Sequence, residues 1–461
     1  MQSPLNVVIL AAGLGTRMKS KRAKVLHRAG GLTLIEHVVN TALGITSPER
    51  VTVVVGHQAE QVKALLSPLG VRFEEQTEQR GTGHAVGICR AGLSSETGLV
   101  QVLYGDGPLI SRATLAELLR RQRASDVAAT VITTRLEDPT GYGRIVFGER
   151  GEIRAIVEQK AATTEQLAIP FINSGIYCFR AELLWKHIQE IRPANPAQEY
   201  YLTDLVEILV RAGHRVEAME VADFRELLGI NTRAELAEVD KIFRDRKARE
   251  LMLEGVTIEK PETVSIDSGV RIGRDSIVGA FAQILGRSEI GEDCSIGACS
   301  IVRDSKLADR VEVAAFTSVV DSSIESGAQV GPFARLRGGA QVGADARIGN
   351  FVELKNTRFA AGAKANHLAY LGDAEIGERT NIGAGTITCN YDGASKHRTK
   401  IGRDAFVGSN ATLVAPLEIG AESYIGAGST VTDPVPPGAL ALGRGRQVVK
   451  EGWVAKRKKK K

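Results

Sequence analysis

The 461-residue sequence contains no apolar run near the ~18 residues that a membrane span needs. Its first residues carry no basic stretch ahead of an apolar core, so no export signal is expected. The five cysteines, Cys89, Cys178, Cys294, Cys299 and Cys389, are scattered without a C-x-x-C pair. That spacing argues against a disulfide framework or a thiolate zinc site and fits a reducing, cytoplasmic setting. Aromatic residues make up 5% of the chain, so the cores must come from Val, Ile, Leu and Ala. The net charge of +5 is misleading, because the last six residues, Lys456 to Lys461, are all basic; without them the balance is −1. The body therefore does not read as a nucleic-acid binder, and the tail reads as a solvated, disordered end.

What the chain does have is glycine, 49 residues of it, and two different grammars. Residues 1–232 alternate strand-like segments (Val7–Leu10, Val51–Val55, Leu99–Leu103, Val127–Thr133, Ile172–Phe179) with helix-like ones (Thr33–Leu43, Ala59–Leu66, Ala113–Arg123). This predicts an α/β domain, Rossmann-like, with a mostly parallel sheet. Residues 233–254 are charged, helix-favouring and free of Gly and Pro, which predicts a linking helix. From 255 to 437 an aliphatic residue followed by Gly recurs at 272, 278, 290, 296, 330, 342, 348, 376, 382, 401, 407, 419 and 425. Gaps of 6 or 12 within blocks predict a hexapeptide parallel β-helix, each aliphatic side chain pointing inward. The breaks in phase are expected to mark inserted loops, Tyr391–Lys400 most clearly. Residues 438–461 form the tail.

The stretch "NVVILAAGLGTRMKSKRAKVLH" (6–27) tests whether the first domain holds a dinucleotide. Gly13 and Gly15 suit a G-x-G-x-x-G loop, but Met18 occupies the third glycine position, and Glu36 lies in a helix-like run rather than at a strand end. No G-x-x-x-x-G-K-[ST] motif is present either. A small turn with Arg17 and Lys24 beside it remains, suited to a polyphosphate. Asp106, in "VLYGDGPL" after a strand, suits Mg²⁺ with substrate phosphates or, more ordinarily, a helix cap.

"LAAGLGTRM" followed by "KVLH" resembles the signature of sugar nucleotidyltransferases, and further pieces follow in order: "EQTEQRGTGHA", "VLYGDGPL", "GYGRI", "IVEQK", "INSGIY" and "GINT". The resemblance implies that Arg17 and Lys24 neutralise triphosphate charge. It further implies that Leu10, Ala11, Ala12, Gly13, Gln76, Gly81, Thr82, Tyr104 and Gly105 line the UTP site. Gly143, Glu158 and Asn173 would hold sugar and ribose, and Asp106 and Asn231 would hold the metal. Ala23 stands where Pro is usual, and Gly83 where Ala is commoner.

In the repeat region, "GPFARLRGGA", "NFVELKN", "KANHLAYLGDAEIG" and "NIGAGTITCNYDG" carry polar groups that coil packing does not need. His367 has the titration range to deprotonate an amine. Arg337 and Lys355 suit a sugar phosphate, and Asp373 is a candidate orienter of the imidazole. This half resembles the acyl-CoA-dependent hexapeptide acyltransferases. The order of the two halves resembles the family of bifunctional N-acetylglucosamine-1-phosphate uridyltransferases/glucosamine-1-phosphate acetyltransferases over essentially the whole chain. That implies His367 as general base, with Arg337, Lys355, Tyr370 and Asn381 on glucosamine 1-phosphate. Ala384, Asn390, Tyr391, Ser409, Ala427 and Arg444 would contact acetyl-CoA. Gly338 replaces a usual Pro, and Asn366 a common Gly. The resemblance further implies a left-handed coil and a homotrimer sharing each acetyl site, with small molecules as the other partners. A nucleotidyltransferase with a regulatory β-helix, or a non-catalytic scaffold of the same build, stands as the alternative; the first would not need His367, the second would not need Arg17, Lys24 and Asp106 together.

Overall fold

The computed structural model describes residues 3–93, 98–149, 151–195 and 197–458. The chain divides into two compact units, Met1–Lys241 and Ile242–Lys461. The division falls inside a 21-residue helix, Arg233–Leu253, where the sequence predicts a linking helix.

The first unit is built on nine strands: β1 (Leu5–Leu10), β2 (Val51–Val55), β3 (Arg72–Glu75), β4 (Leu99–Tyr104), β5 (Ala129–Arg135), β6 (Gly143–Phe147), β7 (Ile153–Val157), β8 (Phe171–Arg180) and β9 (Val216–Glu220). They run in the order β9-β5-β8-β4-β1-β2-β3, with β6 paired to β8 and β7 to β6. Pairing is parallel from β4 through β1 and β2 to β3, and between β5 and β9. β8 is antiparallel to both its neighbours, so the sheet is mixed at that point. A crossover helix is what returns a chain for parallel pairing. Between β7 and β8 there are only a 3-10 turn, Gln159–Ala161, and a four-residue helix, Thr164–Leu167. β1 is buried along its whole length, as a central strand covered on both faces must be. Helix α1 (Leu34–Leu43) begins in a capping box, Thr33 with Glu36. That accounts for Glu36 and removes it from any ribose-binding role.

The second unit is a three-sided parallel coil. Its strands, two to four residues each, stack into sheets of 11, 10 and 9 strands. The hexapeptide pattern is consistent with a left-handed coil. The aliphatic residues of the repeat are buried. The glycine after each is needed where coils approach: a Cβ on Gly402 would lie 2.4 Å from the Ala421 amide nitrogen. Coils advance by 18 residues (Ile277 opposite Ser295) or 17 (Ser295 opposite Glu312). Two of the three expected insertions are therefore shortened coils instead. Ile296 stacks on Val313 and Val330, and Ile348 on Ala365 and Ile382, at 17-residue steps. Val313 and Ala365 are followed by Ala and Asn rather than Gly, which hid them from the pattern. The third break is a true insertion: Ala374 pairs with Thr399, a 25-residue step.

The tail forms a short exposed helix, Trp453–Lys458, rather than an unstructured end, in keeping with its Ala, Lys and Arg content. Lys459 to Lys461 lie outside the described residues. Among the described residues no helix is long and apolar enough to cross a membrane. Cys89, Cys178 and Cys294 are buried free thiols, and burial pushes the Cys89 thiol up to about 12, so none is poised as a nucleophile.

Phe359 is fully buried in the solenoid core, whose other buried hydrophobic members among the described residues are aliphatic side chains and Cys294. Phe359→Ala is expected to cost about 3–5 kcal/mol, read as a fall in the denaturant midpoint of the solenoid's unfolding.

Candidate active sites

Because β1 and β4 are parallel neighbours, with Leu10 opposite Tyr104, the loops that follow them leave the same edge of the sheet. A cavity of about 580 Å³ lies there, bordered by Leu10, Ala11, Ala12 and Gly13, by Gln76, Gly81 and Thr82, and by Lys24. A second cavity of about 220 Å³ is bordered by Gly143, Glu158 and Asn173. Tyr104, Asp106 and Asn231 belong to both. The expected nucleotide and sugar residues thus divide into two adjoining chambers with three shared members.

Two expected residues fall outside both chambers. Gly105 sets backbone spacing: its N–H donates to the Leu10 carbonyl at 2.9 Å, and a Cβ there would meet Ile35 at 2.8 Å. Arg17 is exposed on a short turn, Thr16–Met18.

At the junction, Lys24 Nζ pairs with Asp106 Oδ2 and donates to Asn231 Oδ1 at 3.1 Å. Asp106 is therefore not a helix cap. Asn231 is held from behind, since Glu235 Oε2 accepts from the amides of Asn231 (2.6 Å) and Thr232 (2.8 Å) at the start of the long helix. The Ile230 amide donates to the Asp106 carbonyl at 2.9 Å, tying the two segments together. An ammonium already bridges the Asp106 and Asn231 oxygens, so a cation fits between them. One carboxylate and one amide oxygen is also a donor set a hard ion accepts when substrate phosphates complete it.

In the smaller chamber, burial pushes the Glu158 carboxyl above the usual range, against a hydrogen bond from Thr203 Oγ1 at 3.3 Å. Burial also raises the Tyr104 hydroxyl, as do the charges of Glu158 and Asp106. Asn173 sits at a bulge of β8, where its Nδ2 donates to Tyr177 Oη at 2.8 Å.

The two departures in this half have local explanations. The Ala23 amide donates to Gln58 Oε1 at 2.7 Å, and Gln58 Nε2 donates to the Lys21 carbonyl at 2.7 Å. That clamp supplies stiffness where proline, lacking the N–H, would break it. Gly83 is packed so that a Cβ would meet Ile191 at 2.9 Å and the Tyr200 carbonyl at 3.0 Å.

In the solenoid, adjacent coils bring the polar groups together. Arg337, Lys355 and Gly372 are in register on one sheet, as are Arg335, Glu353 and Tyr370. Arg337 Nε donates to Glu353 Oε1 at 2.6 Å. Lys355 Nζ lies 3.2 Å from Asp373 Oδ2. Asn381 stands on the neighbouring sheet, opposite Lys364.

Asp373 does not orient His367. It is occupied by Lys355, Asn356 and Asn390. Burial alone would raise its carboxyl, but those donors outweigh it and hold the group below the usual range. The partner of His367 is Asn350, directly opposite on the preceding coil. Asn350 Oδ1 accepts from Nδ1 at 2.6 Å, so the lone pair is on Nε2. The same file of the coil continues through Ala384, Ser409 and Ala427, two residues beyond the stacked Ile382, Val407 and Ile425. Arg444 donates to the Ala427 carbonyl at 2.8 Å. Tyr391 is exposed in the inserted segment, its hydroxyl on the Gly393 carbonyl. Gly338 has φ +62°, a conformation closed to proline. Asn366 lies exposed in the strand that ends at His367. Asn350, Glu353 and Gln58 were missed from sequence. For Asn350 the signal was its distance of 17 positions from His367, one short coil.

A nucleotide-sized chamber at a sheet edge, with a cation between carboxylate and amide, marks a nucleotidyltransferase; a three-sided hexapeptide coil with an imidazole at one corner marks an acyltransferase. Residues 7–169 match the MobA-like NTP transferase domain, and residues 269–304 and 398–433 match the bacterial transferase hexapeptide (six repeats) family. The chain is 60% identical over 459 residues to the bifunctional protein GlmU of Solibacter usitatus, covering 100% of this chain and 98% of that one. It is 48% identical to that of Koribacter versatilis (98% and 97% covered) and 47% to that of Stutzerimonas stutzeri (99% and 100%). The chain belongs to the GlmU family, and is a bifunctional enzyme with uridyltransferase and acetyltransferase activities.

Asn350→Ala is expected to lower the acetyltransferase kcat on the order of 100-fold, with little change in KM for the acceptor. Asn350→Asp, which keeps an oxygen acceptor, should recover most of it. Steady-state kinetics of the two variants checks this.

Proposed function

We propose that the solenoid site acetylates glucosamine 1-phosphate from acetyl-CoA, and that the first unit then joins the product to UMP from UTP, releasing pyrophosphate and UDP-N-acetylglucosamine. The observation that carries the reading is the Lys24–Asp106–Asn231 cluster on the wall shared by two chambers. A reacting α-phosphorus belongs where a nucleotide chamber meets a sugar chamber. In this reading residues 1–232 carry uridylyl transfer and residues 255–437 carry acetylation.

In the first reaction a phosphate oxygen of the sugar phosphate attacks the α-phosphorus, and the bond to pyrophosphate breaks in line. The attacking group is already an anion, so positioning and charge neutralisation suffice. Asp106 and Asn231 would hold Mg²⁺, which supplies charge neutralisation at the phosphates. Lys24 lies on the nucleotide chamber and adds positive charge to the triphosphate, joined by Arg17 at its mouth. Gln76, Gly81 and Thr82 contact the base; Gly143, Glu158 and Asn173 hold sugar and ribose.

In the second reaction the amine nitrogen attacks the thioester carbonyl, and coenzyme A leaves with the sulfur. His367 Nε2 accepts the proton that the ammonium must lose, and Asn350 keeps the ring in that tautomer. Arg337 and Lys355 pair with the sugar phosphate, with Tyr370 and Asn381 on the sugar. The file Ala384–Ser409–Ala427, together with Asn390, Tyr391 and Arg444, places acetyl-CoA beside the base. His367 is exposed, and so is the ridge next to it, Phe316, Phe333, Phe351 and Leu368. The phenyl rings stack at 5.1 and 5.4 Å. An apolar ridge running up to a solvent-open base supports a homotrimer in which a neighbouring chain completes the acetyl site. The setting is cytoplasmic, with small molecules as substrates and no nucleic-acid partner.

Lys24→Ala should lower uridylyl transfer on the order of 10³-fold and leave acetylation intact, while His367→Ala does the converse. Separate assays of the two half-reactions check it; acetylation surviving in His367→Ala would remove the assignment of the base. Light scattering should give three times the chain mass. A monomer with full acetyltransferase activity would contradict the shared site.

A further inference from the structure

Gln76 borders the nucleotide chamber and is almost wholly buried, at 4% exposure. Its Nε2 lies 3.1 Å from the Gly81 carbonyl oxygen and 2.9 Å from His84 Nδ1. A carbonyl accepts and never donates, so the nitrogen, not the oxygen, must face Gly81. The second hydrogen of Nε2 then points at His84 Nδ1, which must offer a lone pair, with the ring proton on Nε2. The Gln76 Oε1 is left without a hydrogen-bond partner among the described residues, on a side chain that lines the chamber.

His84 is itself fixed. It lies in the first turn of a helix, Thr82–Ile88, entered through Gly81 at φ +104°, where a Cβ would meet the Tyr200 carbonyl at 2.6 Å. The Gly83 amide donates to the same carbonyl at 2.7 Å. Thr82 Oγ1 accepts from the Leu202 amide at 3.0 Å, and the His84 and Tyr200 rings approach to 6.3 Å. Burial, and after it the charge of Arg80, lowers the imidazole's proton affinity, in keeping with a neutral ring.

We propose that His84 is a positioning residue for base selection: together with the Gly81 carbonyl it holds the Gln76 amide with Oε1 presented to the base as an acceptor. An acceptor at that place matches the ring N3–H of uracil. Cytosine carries a lone pair on the same ring atom and is repelled. Without His84 only the Gly81 carbonyl still accepts from Nε2, so turning the amide over costs one hydrogen bond fewer, and the turned amide's NH₂ suits cytosine as its oxygen suits uracil. A site built around a fixed donor or acceptor discriminates strongly, because the wrong partner leaves a buried polar group unpaired. This rests on the reading of the first unit as a uridylyltransferase.

The test compares kcat/KM for UTP and CTP in the full-length wild type, His84→Ala and His84→Asn. Asn places Oδ1 near the position of the ring Nδ1 and keeps the acceptor. The UTP:CTP ratio is expected to fall at least tenfold in His84→Ala and to stay within about threefold of wild type in His84→Asn. Acetyltransferase activity of the same samples reports that the chain is folded. Where turnover is too slow, titration calorimetry with each nucleotide gives the same ratio. An unchanged ratio in His84→Ala, including an equal loss for both nucleotides, overturns the proposal, as does an equal fall in both variants. A wild type that does not prefer UTP overturns the uridylyltransferase reading instead.

Discussion

In both halves the chemistry-bearing side chains take their places from parallel strand pairing in register. Leu10 opposite Tyr104 sends two loops out of the same sheet edge, and the chambers form between them. Asn350 opposite His367, and Arg337 opposite Lys355, put side chains from successive coils about one strand spacing apart, ~4.8 Å. A slip of one residue would turn each of these side chains to the other face. The buried aliphatic rows make that slip costly in both units, so the cores and the sites are specified by one and the same pattern.

A second theme is that the cations are pre-engaged. Lys24 rests on Asp106, Arg337 on Glu353, and Lys355 on Asp373. These pairs are partly exposed, so their contribution to stability is modest. Their value lies in holding flexible side chains in one place, which reduces the ordering left to do when an anion binds. Asp373 is in turn held by two neutral donors, Asn356 and Asn390.

Much of this was legible in the sequence, and the reasons are specific. The Ile-Gly and Val-Gly pairs report a geometric necessity at each corner, so the solenoid announces itself. The two phase breaks built from pairs of 17-residue steps did not, because Val313-Ala314 and Ala365-Asn366 lack the glycine. Lys24, Asp106 and Asn231 were readable as an ordered series of motifs. The contact of Lys24 with the other two was not, since it depends on Glu235 and Ile230 anchoring the chain far from the loop. Asp373, the candidate orienter of the imidazole, lies six positions from His367 in the chain. In a coil, nearness along the chain points around the perimeter, whereas a partner one turn away along the axis lies 17 or 18 positions distant. Gln58 and His84 carried no signal of their own; Gln58 acts through two hydrogen bonds made after folding, and His84 meets Gln76 through one.

The 25-residue coil between Ala374 and Thr399 is clamped on both flanks by strands that keep perfect register with their neighbours. Asn381–Ile382 and Ile387–Cys389 within it still pair with the neighbouring coils, so the extra length is confined to the exposed residues after Asn390. Loop-closure entropy grows with the logarithm of length, so each doubling costs only about 0.6 kcal/mol. The segment that carries Tyr391 is accordingly the place where this enzyme can lengthen, shorten or recompose one surface of the solenoid while every coil above and below stays in step.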